Sequence, residues 1–261
     1  MTPHEKAVAA INDRLDKLQT DLRASNAQSA QHFLVQAIVV TIGLAEALND
    51  FIAQVGRHAQ RRHGEARQAS ESLAARHAAA LHSGRELLEK LKANPTDRAV
   101  RKEIELAQKD MAATQKALRR GANALQRELA PGLAAIDRMA EHIRKLVEAG
   151  RSDGLKRIVR AVVAHVREFC AAQPASLKSL VDPEGWEKMA MAELDQAAGF
   201  NDAFARAGFQ TVLALEIMTA LLADNPPRTP DEATGRATAA ASERLKKITA
   251  RFATGEAGSA A

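Results

Sequence analysis

Aromatic residues are scarce in this chain of 261 residues: they make up 3% of it, and tyrosine is absent. Hydrophobic residues reach 46%, and much of that share is alanine. Strands favour aromatic and β-branched side chains, whereas alanine favours closely packed helices. The composition therefore predicts an all-α fold with almost no strand. The length is enough to bury a core in one large helical domain or two smaller ones.

Cysteine occurs once, at Cys170, which excludes an internal disulfide framework. The sequence has no charged-then-apolar secretory layout and no run of eighteen apolar residues. We therefore expect neither a signal peptide nor a membrane-spanning helix. These absences favour a protein of the cytoplasm, or one peripheral to a membrane. Cys170 ends an apolar segment without an activating partner, so we expect an inert buried thiol.

Motifs for catalysis and for metal or cofactor binding are also missing. The Glu-x-x-His element of di-iron bundles does not occur, and the spacings of His58 with His63 and of His77 with His82 do not put two imidazoles on one metal. The segment "GRSDGLKR" at 150–157 is expected to be a turn with an acidic or hydroxyl cap before a helix. We predict a non-enzymatic protein with no catalytic residue, metal or cofactor, and no small-molecule substrate is evident.

The longest apolar run begins at Phe33 and ends at Ala45, and arginine and histidine follow it within three turns. A helix needs about 20 apolar residues to span a bilayer, so this run is too short, and Gln36 interrupts it. We interpret it as a core helix that continues beyond the core. Glu46 follows the run, and Glu216 lies in a second apolar segment. Each carboxylate must be solvated, paired or neutralised if it is buried.

Two long helices are predicted on either side of the turn "NPTD" at 94–97, where Asn94, Pro95 and Asp97 form a helix start. The second helix repeats apolar or small residues at about 3.5-residue intervals, which is typical of a coiled-coil seam. The seam positions are Val100, Ile104, Ala107, Met111, Thr114, Leu118, Gly121, Leu125, Leu129, Gly132, Ile136, Met139, Ile143 and Leu146. A short turn makes the helices antiparallel, so residue i should lie opposite a residue numbered about 188 minus i.

The predicted fold class is all-α: an elongated helical bundle with a long antiparallel coiled-coil hairpin whose tip is at 94–97. Gly56 and the Pro131-Gly132 pair fall at one level of the hairpin and should kink or weaken both helices there. We expect four regions: an N-terminal amphipathic helix at 1–25, a helical bundle formed by 26–56 with 132–224, a basic hairpin arm at 57–131, and a C-terminal basic helix with a disordered tail at 225–261.

The basic excess of the chain lies in the arm. Residues 57–127 contain 16 Lys or Arg against 8 Asp or Glu, whereas the whole chain has 37 against 32. In the predicted register the arginines of the first helix lie near the cations of the second. This places eight residues in one candidate site for an anionic surface: Arg57, Arg61, Arg62, Arg67, Lys116, Arg119, Arg120 and Arg127.

Phospholipid headgroups and nucleic-acid phosphates are the two anionic surfaces such a site fits. Aromatic side chains that stack on bases are absent from 52–168, which disfavours single-stranded nucleic acid. Duplex binding through phosphates needs no aromatic residue and stays open, as the weaker of the two alternatives. The plainer alternative is that these cations only solvate a long helix.

The sequence therefore favours a non-enzymatic helical scaffold that forms a homo-oligomer and binds a partner or an anionic surface through its basic arm. A short amphipathic helix followed by three long kinked helices resembles, in helix lengths, the membrane-curving crescent proteins of the BAR type. That resemblance implies membrane binding or remodelling. An α-helical pore-forming protein and a duplex-binding protein are the remaining alternatives.

Overall fold

The computed structural model describes residues 1–93 and 98–253, and every regular element in them is a helix. The all-α fold is thus confirmed for this part of the chain. The predicted tip at 94–97 and the tail from residue 254 lie outside the described residues. The helices are α1 (Pro3–Ala24), α2 (Gln28–Ala93), α3 (Arg98–Glu148), α4 (Ser152–Ala171), α5 (Ala175–Lys178), α6 (Pro183–Asp195), α7 (Phe200–Leu221) and α8 (Pro230–Ala253).

Two helices are much longer than the rest of those described: α2 has 66 residues and α3 has 51. The third helix of the crescent-like layout is not long, because α4 has 20 residues and ends before Pro174. Neither long helix is interrupted where we expected a kink. Helix α2 continues through Gly56, and α3 continues through Pro131, although proline cannot donate the backbone hydrogen bond of that turn.

Local sequence explains the starts of α1 and α6. Thr2 and Glu5 form a reciprocal capping box at α1, and Asp182 accepts a hydrogen bond from the backbone of Gly185 at α6. The expected acidic or hydroxyl cap of α4 is wrong. Its N-cap is Arg151, which makes no side-chain cap hydrogen bond, because the serine and aspartate that follow already lie inside the first turn.

The chain divides into two compact units. The first contains Met1–His58 together with the described residues from Pro131 onward, and the second is Ala59–Ala130. In the first unit α7 is the central helix, with 15 of its 22 residues buried, and α4 and α8 both pack against it. The apolar run of α2 joins the same core through Leu34, Ile38 and Leu44. Helix α1 packs there too, burying Ile11 and Leu18.

Close contacts between helices of the first unit depend on glycine. A Cβ atom added at Gly43 of α2 would lie 2.7 Å from Leu245 Cδ2 of α8, and one added at Gly208 of α7 would meet the side chain of Val40 of α2. Real Cβ atoms do not approach other carbons so closely, because interiors are already close-packed. The two glycines therefore let α2 lie against α7 and α8.

Helix α2 is the one described helix that is long and apolar enough to cross a membrane by length and composition. We expected none from the interrupted apolar run. Within the structure, 56% of its most apolar window is buried in the fold. A core helix of a soluble protein meets the same criteria of length and composition. Leu34, Ile38 and Leu44 of α2 are buried in the hydrophobic core in this way.

Candidate anionic-surface site

Helices α2 and α3 are antiparallel neighbours within the second unit. Arg76 donates to Asp110, with Nε 3.3 Å from Oδ2, and His77 Nδ1 lies 3.0 Å from Thr114 Oγ1. The predicted register places position 112 opposite Arg76 and Met111 opposite His77. The observed partners, Asp110 and Thr114, are two and three residues from those positions. The α3 seam residues of this unit are buried or half-buried, apart from the exposed Gly121. Coiled-coil packing itself stays a prediction.

Arg62, one of the predicted α2 cations, is held by carboxylates inside the second unit. Its Nη2 lies 2.9 Å from Glu128 Oε2 on α3, and its Nη1 donates to Glu65 one turn along α2. The hydrogen bond to Glu128, with the charges of both carboxylates, raises the pKa of the guanidinium. Arg62 is therefore an interhelical contact rather than a free surface cation.

The other α2 cations are also engaged. Arg57 belongs to the first unit, where its Nη2 donates to Gln54 Oε1 at 2.6 Å. Arg67 Nε donates to Glu71 Oε1 at 2.8 Å, and Arg61 also has a bonding or electrostatic partner. Of the eight predicted residues, Arg57 lies in the first unit and the other seven lie in the second. All four α2 cations already have partners, so a single patch of eight stays a prediction.

The α3 half of the predicted site is different. Lys116, Arg119, Arg120 and Arg127 are all exposed, and in the part of the chain that the structure describes none of them makes an ion pair. At about 100° per residue, these four side chains fall within about 100° of one another around the helix, centred about 180° from the seam. They therefore share the face of α3 that points away from α2.

This face continues toward the start of α3 through two lysines that we did not predict. Lys102 and Lys109 precede Lys116 at seven-residue intervals, are exposed, and make no ion pair with any described residue. We call the six residues Lys102, Lys109, Lys116, Arg119, Arg120 and Arg127 the α3 basic row. At about 1.5 Å per residue the row is about 38 Å long. The signal for the lysines was present in the sequence as the seven-residue period of the seam itself.

Carboxylates are unevenly distributed around α3. Asp110 and Glu128 lie on the flank toward α2, where they accept from Arg76 and Arg62. Glu105 is the one carboxylate on the row's own face, by helical position. The contacts between α2 and α3 thus engage Asp110 and Glu128, and the row keeps six cations with one carboxylate on its face.

A second charged cluster lies in the first unit and explains the two carboxylates of the apolar segments. Arg244 of α8 donates through Nη2 to Glu216 Oε1 of α7 at 2.7 Å and to Asp50 Oδ2 of α2 at 2.8 Å. Glu46 pairs with Arg251 of α8. Burial opposes the charge of Arg244, but its hydrogen bonds to Glu216 and Asp50 outweigh that effect and raise its pKa. The sequence showed that Glu46 and Glu216 needed partners, but not which ones.

Cys170 is the one cysteine of the chain and lies near the end of α4. Cys170 is buried, and burial raises the pKa of its thiol to about 11, which makes it a poor nucleophile. Among the described residues, no group of three or more His, Cys, Asp or Glu side chains has the arrangement to hold a metal ion.

Two histidines lie against each other between α3 and α4, and of these His165 is buried and His142 is half-buried. The rings of His142 and His165 are 6.0 Å apart between centroids, and Arg138 Nη1 lies 3.3 Å from His165 Nδ1. Because a guanidinium can only donate, Nδ1 is the acceptor and Nε2 carries the hydrogen of the neutral ring. Nε2 is buried without a hydrogen-bond partner in the described structure. Burial, with the charges of His142 and Arg138, lowers the pKa of His165 to about 4.

Compared with family models, curated proteins and solved structures, the chain shows no significant match. Its class is therefore defined by its own fold and site. It is an all-α protein whose chain divides into two compact units, and the six lysines and arginines of the α3 basic row, in the second unit, are exposed.

Replacing Arg244 with methionine tests the charged cluster of the first unit. The change leaves the Glu216 carboxylate, with 11% of its side chain exposed, without its partner, and breaking a buried pair in this way costs about 3 kcal/mol. We expect that loss in the free energy of unfolding by urea denaturation, with part of it recovered in the Arg244→Met, Glu216→Gln double variant. Arg67→Gln, which removes an exposed pair, is the control and should change little. Equal effects of both single variants would contradict this role.

Replacing His165 with glutamine tests the histidine pair. The folded-state pKa of His165 is depressed to about 4, whereas histidine in an unfolded chain titrates near 6.5. The unfolded state therefore gains a proton first, and stability falls as pH drops from about 6.5 to about 4, by up to about 3 kcal/mol. His165→Gln should flatten that part of the curve of unfolding free energy against pH. Parallel curves for the two proteins would show that His165 does not titrate in this way.

Proposed function

We propose that this protein is a non-enzymatic helical interaction protein that binds an anionic surface through the α3 basic row and self-associates. The observation that carries the proposal is the absence of ion pairs along the row, among the described residues. An exposed row of cations with few carboxylates attracts polyanions and steers them toward itself. The α2 cations of the original eight contribute to the field but are already paired.

The contrast with a merely solvated helix supports binding. Exposed helices that only need solvation usually mix both signs of charge and form pairs three or four residues apart. Helix α2 does this, with Arg67 beside Glu71 and Lys92 beside Glu89. The row on α3 instead repeats one sign every seven residues with a single carboxylate on its face. An anionic partner would neutralise the repulsion among these cations.

Self-association is supported by exposed leucines of the second unit. Leu81 and Leu88 of α2 are 40% and 48% exposed, and seven-residue spacing puts them on one face of the helix. A second copy of this face would cover them. We expect the purified chain to sediment as a discrete oligomer, and the Leu81→Ser, Leu88→Ser variant to shift toward monomer. A monomer at every concentration tested would exclude this part of the proposal.

Two matched sets of four substitutions test the basic row. One set is Lys116→Gln, Arg119→Gln, Arg120→Gln and Arg127→Gln, and the other is Arg57→Gln, Arg61→Gln, Arg62→Gln and Arg67→Gln. Both remove four positive charges. We expect the α3 set to weaken binding to inorganic polyphosphate much more than the α2 set, because only the α3 cations are unpaired.

Titration of each variant with labelled polyphosphate measures the difference, and circular dichroism checks that helix content is kept. If the α2 set weakens binding as much as the α3 set, total charge rather than the row determines affinity. That result, or no binding by the unchanged protein, contradicts the proposal.

A further inference from the structure

We infer that the anionic surface bound by the α3 basic row is a lipid bilayer, with the helix lying along the membrane plane. This inference rests on the proposed function and adds the identity of the partner and the orientation of the contact. The inference depends on the continuity of α3 along the row, on the side chains between the cations, and on the positions of the carboxylates.

The row matches a plane better than a nucleic-acid duplex. Lys102, Lys109 and Lys116 follow one another at seven residues, as do Arg120 and Arg127, and α3 is uninterrupted along all of them. By helical position these five cations lie within about 40° of one another along about 38 Å of one continuous helix, so they can all face a flat surface together. The phosphates of a duplex wind around a cylinder, so a straight helix meets them only in a groove or where it crosses the backbone.

The residues between the cations also suit a headgroup layer. Ala112, Ala113 and Asn123 share the face by helical position and are exposed, so the side chains between the central cations are small. The large apolar Leu106 is 57% exposed and lies at the edge of the face, seven residues before Ala113. The aliphatic stems of lysine and arginine extend past such small residues while their charges reach the phosphates. The face has no aromatic or large apolar residue at its centre, so we expect contact at the headgroup level rather than insertion.

The expected strength of the contact follows from the number of cations. Each Lys or Arg close to an anionic leaflet contributes about fivefold in affinity at moderate salt. Neutralising three row cations should then reduce affinity about 100-fold. Three exposed cations elsewhere on the same unit should matter less, because contributions from charges farther from the surface fall off within a Debye length of about 10 Å.

The experiment measures co-sedimentation of the full chain with two kinds of vesicle: phosphatidylcholine mixed with phosphatidylserine, and phosphatidylcholine alone. The row variant is Lys102→Gln, Lys109→Gln and Lys116→Gln. The matched control is Arg67→Gln, Arg85→Gln and Lys90→Gln, which removes the same charge from exposed positions of α2. We expect the unchanged protein to bind only the mixed vesicles, the row variant to lose about 100-fold in affinity, and the control to lose less than tenfold.

Several results would overturn the inference. Equal losses for the row variant and the control would show that the row is not the contact. Binding to duplex DNA tighter than to the mixed vesicles would assign the row to nucleic acid. Row-dependent binding to polyphosphate without binding to vesicles would overturn the lipid partner and leave the proposed function standing, whereas no row-dependent binding to either would overturn both.

The orientation is tested with single labels. Because the Cys170 thiol is buried and its pKa is raised, it can stay in place while a fluorophore is attached to Ala113→Cys on the row face or to Ala78→Cys on α2. Spin-labelled headgroups should quench the first fluorophore strongly and the second weakly. Equal quenching at both positions would contradict a contact along the row.

Discussion

The pairing of α3 with α2 is the constraint on which the candidate site depends. Helix α3 has one apolar seam, and the contact through it fixes which face is left for anything else. The flanking carboxylates Asp110 and Glu128 are used in the same contact by arginines of α2. What remains is an outer face whose cations repeat with the period of the seam. The same regularity that pairs the helices therefore aligns the basic row.

In the first unit the other helices cover α7, which is buried on most of its surface. Helix α4 covers it with valine and phenylalanine side chains, whereas the buried residues of α8 include three alanines, Ala233, Ala237 and Ala241. Each alanine buries little apolar area. The ionic contacts of Arg244 with Asp50 of α2 and Glu216 of α7 therefore help to fix the position of α8. Glycines in α2 and α7 permit the close approach that such small side chains require.

Composition predicted the all-α class, and periodicity predicted which α3 positions are buried or half-buried, apart from the exposed Gly121. Which cations are paired and which are unpaired could not be predicted from the sequence. Arg62 and Glu128 are 66 residues apart, and nothing local distinguishes Arg62 from Arg120. Counting charge by segment also missed Lys102 and Lys109, which become part of the row only when residues are placed by angle around the helix. Gly56 and Pro131 each disfavour a helix locally, but α2 and α3 continue through them. The helix-forming residues on either side therefore determine the local structure.

In the proposed contact with an anionic membrane, the interacting surface is an unpaired row of cations rather than an apolar face. The dependence of vesicle affinity on ionic strength tests this claim most directly. Exposed charges are screened over about 10 Å at 0.1 M salt and over about 3 Å at 1 M, whereas apolar contacts are not weakened by salt in this way. If the row makes the contact, we expect the affinity for phosphatidylserine-containing vesicles to fall steeply between 0.1 M and 1 M salt. An affinity that stays unchanged between 0.1 M and 1 M salt would show that the cations of the row do not make the contact.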